Sequence, residues 1–293
     1  MEQGFEWGKD FALKRNFRPL SFRAMIRKFE MNRSYIDTHT HLYLDRFDED
    51  RQQVIERALA AGVKKMYLPN IDLESLPAVL DLAKAWPENC FPMLGLHPTD
   101  VKTDYREILQ QMKGMLDEEE FVAIGEIGID LYWDTTYKYQ QERAFFEQIS
   151  WAKERALPIA VHIREAMDYT LDLLEEVQGD DLRGVLHCFT GNYEQAVRAL
   201  DMGFYLGIGG VLTYKKSGLK AVCARLPLEA LVLETDAPFL PPVPHRGKRN
   251  ESAYIPIIAA ALAETMGCSL EEVARQTTQN AERLFSRASL SAI

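Results

Sequence analysis

The chain contains six histidines. Four of them, His39, His41, His162 and His187, close short apolar runs, and Glu126 and Asp236 do the same. Imidazole and carboxylate groups at the ends of several strands suit a metal-dependent hydrolase, because a barrel gathers its strand ends on one face. His39 and His41 stand two apart in an extended segment, so both rings face the same way and can chelate one ion. Four histidines, one Glu and one Asp exceed a single tetrahedral site and suit two divalent ions bridged by a carboxylate. Glu126 is the expected bridge, since the flanking Gly125 and Gly128 leave room for close backbone approach. His39, His41 and Asp236 are then expected on one ion, and His162 and His187 on the other. Mixed nitrogen and oxygen donors accept Zn²⁺, Mn²⁺, Co²⁺ or Ni²⁺, and an open, water-rich second site takes Mg²⁺.

These residues need a scaffold that brings their runs together. Short β-rich runs bounded by Gly, Pro or polar residues predict strands near 34–38, 63–68, 91–95, 121–125, 157–161, 183–187, 203–208 and 231–235. Helical patterns alternate with them, for example over 48–61, 73–85, 139–155 and 193–202, with apolar residues three and four apart. Eight such units fit an α/β fold of the (β/α)8 TIM-barrel type better than a doubly wound sheet, and neither GxGxxG nor GxxxxGK[ST] occurs. A last helix over 269–285, with Ser269 and Glu272 at capping-box spacing, is expected to cover the outside of the barrel.

Composition narrows the function. A net charge of −10 argues against a protein that coats nucleic acid electrostatically, but not against local cleavage of a phosphodiester. No apolar stretch is long enough to span a membrane, and the N-terminus lacks a secretory h-region, so a cytoplasmic location is expected. Cys90, Cys188, Cys223 and Cys268 show no CxxC spacing and read as reduced thiols. Residues 1–33 carry eight Lys/Arg against four Asp/Glu and no strand signal. They read as a flexible extension or an upstream start ahead of Met31, with the barrel domain over 34–293.

The motifs Ile36-Asp37-Thr-His39-Thr-His41-Leu42, Gly95-Leu-His97-Pro98, Gly125-Glu126-Ile-Gly-Ile-Asp130, His162-Ile-Arg164-Glu-Ala166, His187-Cys-Phe-Thr-Gly191, Glu234-Thr-Asp236-Ala-Pro238 and Arg246-Gly-Lys-Arg-Asn250 occur in this order. Together the chain resembles the TatD family of metal-dependent deoxyribonucleases over residues 34 to about 285. The resemblance implies a TIM barrel of the amidohydrolase type, two divalent metal ions and hydrolysis of DNA, often from the 3′ end. It implies DNA as substrate, with neither a membrane nor an obligate protein partner indicated. Two departures stand out: Ser252, where the family motif continues Asn-Glu-Pro, and the N-terminal extension.

Roles for the neighbours follow from position. Water is expected to attack phosphorus in line, with Glu126 and Asp236 catalytic and Asp236 accepting a proton. Arg164, two residues after His162, is expected either to hold a phosphate oxygen or to form a rim salt bridge. His97 can contact phosphate, protonate a leaving oxygen or be structural. Glu234 can bind substrate through a further cation or orient a ligand histidine. Arg246, Lys248 and Arg249, in the loop after the last strand, are expected to face the nucleotide backbone. Tyr132, Trp133 and Phe189 either stack bases or pack loops. Cys188 packs rather than attacks. The alternative is hydrolysis of a small ester, lactone or amide on the same barrel; the basic loop and Arg164 favour phosphate.

Overall fold

A computed structural model describes residues 33–286. The expectations for residues 1–32 lie outside the described residues. Among the described residues eight strands alternate with helices: β1 (Tyr35–Asp37), β2 (Val63–Leu68), β3 (Cys90–Pro92), β4 (Ile124–Asp130), β5 (Ile159–Arg164), β6 (Gly184–Leu186), β7 (Tyr205–Ile208) and β8 (Leu231–Leu233). All pairings are parallel, in the orders β1-β2-β3 and β4-β5-β6-β7-β8. Backbone bonds join the two sheets at both seams. At the first, Leu94 N–H donates to Ala123 O (3.2 Å) and Gly125 N–H to Leu94 O (2.9 Å). At the second, Thr38 N–H donates to Leu233 O (3.0 Å) and Asp236 N–H to His39 O (2.9 Å). Parallel bridges Leu94–Ile124 and Thr40–Ala237 mark the same seams, so the ring closes as the TIM barrel that the strand count predicts.

The helices are α1 (Arg51–Ala60), α2 (Leu76–Ala85), α3 (Tyr105–Glu118), α4 (Lys138–Arg155), α5 (Met167–Val177), α6 (Tyr193–Asp201), α7 (Leu219–Cys223), α8 (Ile255–Met266) and α9 (Leu270–Phe285). Each long helix buries one apolar stripe: α3, for example, turns Tyr105, Leu109, Met112 and Leu116 inward. Inside the ring lies a separate apolar layer built from Ile36, Tyr67, Met93, Ala123, Ala160, Val185 and Val232. The closing helix does not simply cover the outside, as expected. Its last turn brings Ala281, Leu284 and Phe285 into that inner layer, with Phe285 stacked on Tyr67 at 4.0 Å. Asn280 Nδ2 donates to Leu228 O and Leu231 O, which fixes this plug at the N-terminal end of β8. The opposite end is left for chemistry. Ser269 does cap the helix, accepting from Glu272 N–H at 3.1 Å.

Two strands differ from their expected bounds in a way that matters. β4 was expected at 121–125 and runs over Ile124–Asp130, and β5 was expected at 157–161 and runs over Ile159–Arg164. Glu126 and His162 therefore lie within strands rather than after them. The glycines explain the shift: a Cβ at Gly128 (φ +143°) would lie 2.1 Å from His162 O, so only glycine lets these strands pair so far. Conversely β1 ends at Asp37, and the His39 to His41 segment is kept extended by bonds from Thr40 N–H to Tyr67 O and from His41 N–H to Ala237 O.

Candidate metal centre

At the C-terminal mouth a 590 Å³ cavity is lined by His41, His97, Glu126, His162, His187 and Asp236, with Trp133, Arg164 and Phe239 among its other walls. A larger groove of 790 Å³ lies beside Tyr43, Asp72 and Trp86, and none of these six residues lines it. Chemistry rather than volume selects the site.

Glu126 is the centre of the cluster. Its Oε2 lies 3.1 Å from His39 Nε2 and 3.5 Å from His41 Nε2. Its Oε1 lies 2.7 Å from His162 Nδ1, 3.2 Å from His187 Nε2 and 3.4 Å from His97 Nε2. Asp236 Oδ1 stands 3.4 Å from His41 Nε2 and 3.9 Å from His39 Nε2. Three groups of donors are compact enough to hold an ion: His39, His41 and Asp236; His39, Glu126 and His187; His97, Glu126 and His162. The six residues expected from the sequence therefore meet in one place, but the compact groups join His187 to His39 and His162 to His97, rather than His162 to His187 as expected. His97 does more than line the cavity, as its ring nitrogen joins the donors.

Outer partners aim the rings. Tyr43 Oη donates to Pro69 O (2.8 Å), so it accepts from His41 Nδ1–H (2.9 Å) and leaves His41 Nε2 free to face the cluster. Asp130 Oδ2 lies 3.0 Å from His162 Nε2, which turns the Nδ1 lone pair inward. Glu234 Oε1 lies 3.3 Å from His187 Nδ1, too poorly aligned for a hydrogen bond, and accepts from Cys188 N–H at 2.6 Å. Glu234 is thus fully buried behind His187, and its expected place at the substrate is corrected. Room for its carboxylate exists because position 207 is glycine: a Cβ there would lie 2.2 Å from Glu234 Oε2.

The backbone is strained where it delivers donors. Cys188 (φ +46°) and Asp236 (φ +57°) occupy the left-handed region, held by the Glu234 bond and by the Asp236 N–H bond to His39 O. Asp37 buckles the β1/β8 seam, accepting from Thr235 Oγ1 (2.6 Å) and Thr235 N–H (2.9 Å). Burial pushes its carboxyl up to about 7 against these bonds.

Charge is concentrated in this small space. Burial works to raise the Glu126 carboxyl, but His187, His39 and His97 outweigh it and hold it well below the usual range. Burial works to lower His187, and Glu126 and Glu234 instead hold it well above its ordinary value. Such a set of mutually stabilised donors fits a cation, with the rings of His41 and His162 already turned by their outer partners. Burial raises the Cys188 thiol far above its ordinary value, so packing describes it better than attack.

The substrate-side expectations divide. Arg164 lines the cavity with its guanidinium 3.8 Å over the Tyr132 ring, and forms no ion pair among the described residues. Trp133 shares the cavity wall, whereas Phe189 is buried and cannot meet a base. Arg246 and Lys248 are exposed outside the cavity wall, Arg246 lying 4.3 Å over Tyr214. Arg249 is structural, since it donates to Arg46 O (2.6 Å) and Asp50 Oδ2 (2.7 Å). Ser252, the departure from the family motif, is buried with its hydroxyl 3.4 Å from Thr40 Oγ1. The loop before it is fixed by buried Asn250, which donates to Thr235 O and Phe239 O. Sequence reasoning missed Tyr43 and the exposed Lys215 and Lys216. Tyr43 had a signal, lying two residues beyond His41; the lysines had none until the loops after β7 and β8 met through Tyr214 Oη and Pro241 O (2.9 Å).

Comparison with known proteins covers the same stretch. The family model "TatD related DNase" matches residues 36–286. The metal-dependent hydrolase YabD of Bacillus subtilis (strain 168) is 38% identical over 250 residues, covering 85% of this chain and 98% of the relative. The 3′-5′ ssDNA/RNA exonuclease TatD of Pectobacterium parmentieri is 34% identical over 255 residues, covering 85% and 98%. The crystal structure of YjjV, a TatD homologue of Escherichia coli K12, superposes with a TM-score of 0.81 at 33% identity, covering 86% of this chain and 97% of that one. With its histidine cluster inside the matched span, the chain belongs to the TatD family of metal-dependent hydrolases related to deoxyribonucleases.

Proposed function

We propose that the protein is a deoxyribonuclease that uses two divalent ions to hydrolyse DNA phosphodiesters, removing nucleotides from the 3′ end of a single strand. The observation that carries this reading is the division of Glu126, with one oxygen toward His39 and His41 and the other toward His162 and His187. His39, His41 and Asp236 would hold one ion, His162 and His187, which both face Glu126 Oε1, would hold the other, and Glu126 would contribute to both. Bound divalent ions supply Lewis acidity to a phosphoryl oxygen and acidify water. Arg164, free of carboxylate partners among the described residues, offers its guanidinium to the phosphate charge that grows in the transition state. Burial works to raise the Asp236 carboxyl, but the rings of His41, His187 and His39 hold it below its ordinary value; it takes the proton that water loses as the oxygen bonds phosphorus, while the bond from phosphorus to the 3′ oxygen breaks and that oxygen is protonated from solvent. Phosphate is favoured over a neutral ester by Arg164 and by the exposed cations of the adjoining loops, Lys215, Lys216, Arg246 and Lys248. The exonuclease named among the relatives supports the polarity and the single-strand preference.

The test incubates 5′-labelled single- and double-stranded DNA, and a lactone, with each candidate metal, and reads product length. The expected result is a ladder of shortening single strands, lost in Glu126→Gln. Lactone hydrolysis without any cut strand would overturn the reading.

A further inference from the structure

The described residues expose two adjacent large aromatics at the mouth: Tyr132 is 53% and Trp133 67% accessible. Their rings meet edge to face at 4.9 Å. Exposing so much aromatic surface has a solvation cost that packing would normally remove, and here the loop is built to hold it outward. Asp130 Oδ1 accepts from Tyr132 N–H (2.9 Å) and Trp133 N–H (3.2 Å), which fixes the start of the loop. Gln141 of α4 clamps Asp130 in turn, accepting from its N–H (3.0 Å) and donating to its carbonyl (3.1 Å). Arg164 lies 3.8 Å over Tyr132 and 5.1 Å over Trp133, so one face of the tyrosine is taken while the indole remains the cavity wall.

The two oxygens of Asp130 perform different tasks. Oδ1 holds the aromatic loop, and Oδ2 holds His162 at 3.0 Å. One buried carboxylate thereby fixes the distance between an exposed indole and a donor of the candidate metal centre.

We propose that Trp133, on the loop that Asp130 holds and backed by Tyr132 and Arg164, is a nucleobase-stacking subsite. This inference rests on the nuclease reading above and names the substrate feature recognised: a base that is free to leave its neighbours, as in a single strand. Stacking on an aromatic plane tolerates any base, because each presents a π-face. Arg164 beside it reaches the phosphate of the same nucleotide, with its guanidinium plane already ordered by the tyrosine. A paired duplex end would have to unstack before its base could reach the indole.

The test compares steady-state kinetics of the full-length protein on a single-stranded oligonucleotide with those on strands lacking the base at either of the two 3′-terminal nucleotides. Trp133→Ala is expected to raise KM for the intact strand about 5- to 100-fold with little change in kcat, and Trp133→Phe to recover most of it. In the wild type one of the two base deletions raises KM comparably; in Trp133→Ala that deletion adds nothing further. Tyr139→Ala, which removes an equally exposed aromatic away from the cavity, leaves KM unchanged. A wild-type KM in Trp133→Ala, or an unchanged penalty for base deletion, overturns the subsite while leaving the nuclease reading intact. Failure of the wild type to cut any strand sinks both, and is seen before any variant is made.

Discussion

Replacing Gly207 by alanine should damage the metal centre through a residue that touches no candidate ligand directly. A Cβ at 207 would lie 2.2 Å from Glu234 Oε2 and 2.7 Å from its Cδ, whereas ordinary contact begins near 3.4 Å. The carboxylate must retreat by about 1.2 Å or β7 must move. A shift of that size takes the 2.6 Å bond from Cys188 N–H out of hydrogen-bonding range and moves the charge that faces His187 Nδ1. Loss of a carboxylate behind a ligand histidine costs about 10- to 100-fold in metal affinity. The buried charge-assisted bond adds roughly 1.5–3 kcal/mol of stability, or a fall in Tm of about 3–12 °C for a domain of this size. Competition against a chromophoric chelator reads the affinity, and calorimetry of the metal-stripped protein reads the Tm. Glu234→Gln is the companion variant: its amide oxygen still accepts from Cys188 N–H, so affinity should fall with a smaller change in Tm. If Gly207→Ala binds metal within about twofold of wild type, Glu234 does not orient His187 and the reasoning fails.

Chelation with EDTA should abolish turnover, lower Tm and be reversed by one of the candidate divalent ions, since an ion that binds only the folded chain stabilises it. Phe285→Ala removes the ring stacked on Tyr67 at the plugged end of the barrel and should cost about 3 kcal/mol, or roughly 6–12 °C in Tm, while turnover per folded molecule is retained. Lys248→Ala should raise KM for DNA and flatten its salt dependence without affecting Tm. Arg249→Ala should do the reverse, because that guanidinium is committed to Arg46 O and Asp50 and covers Phe47 at 4.5 Å; equal effects of the two variants in both assays would refute the division between them.

Much of the fold was legible because its signals are local. Alternation of apolar runs with helical stripes fixes the count of β/α units, and a closed parallel ring is the arrangement that buries eight such strands on both faces. The candidate ligands were legible for the same reason: imidazole and carboxylate groups are uncommon at the ends of apolar runs, and their location there has few structural uses. His39, His41, Glu126, His162, His187 and Asp236 are therefore marked out by the sequence itself. What could not be read locally was where each group points and what stands behind it. Glu234 and Asp236 lie two apart on one segment, yet Glu234 is buried behind His187 while Asp236 faces the cavity, because Asp236 sits at φ +57° and Gly207 leaves space on the neighbouring strand. Arg246, Lys248 and Arg249 read as one basic run, and the packing of α1 against the last loop withdraws Arg249 from it.

The sequence by itself determined the fold class, the family and six of the candidate donors, since these depend on residue type and period. Tertiary structure alone decided that Glu126 divides the donors between its two oxygens, that His97 joins them, and that Asp130 ties His162 to an exposed indole. These are relations between atoms on different strands, set by parallel register and ring closure, and no spacing along the chain encodes them.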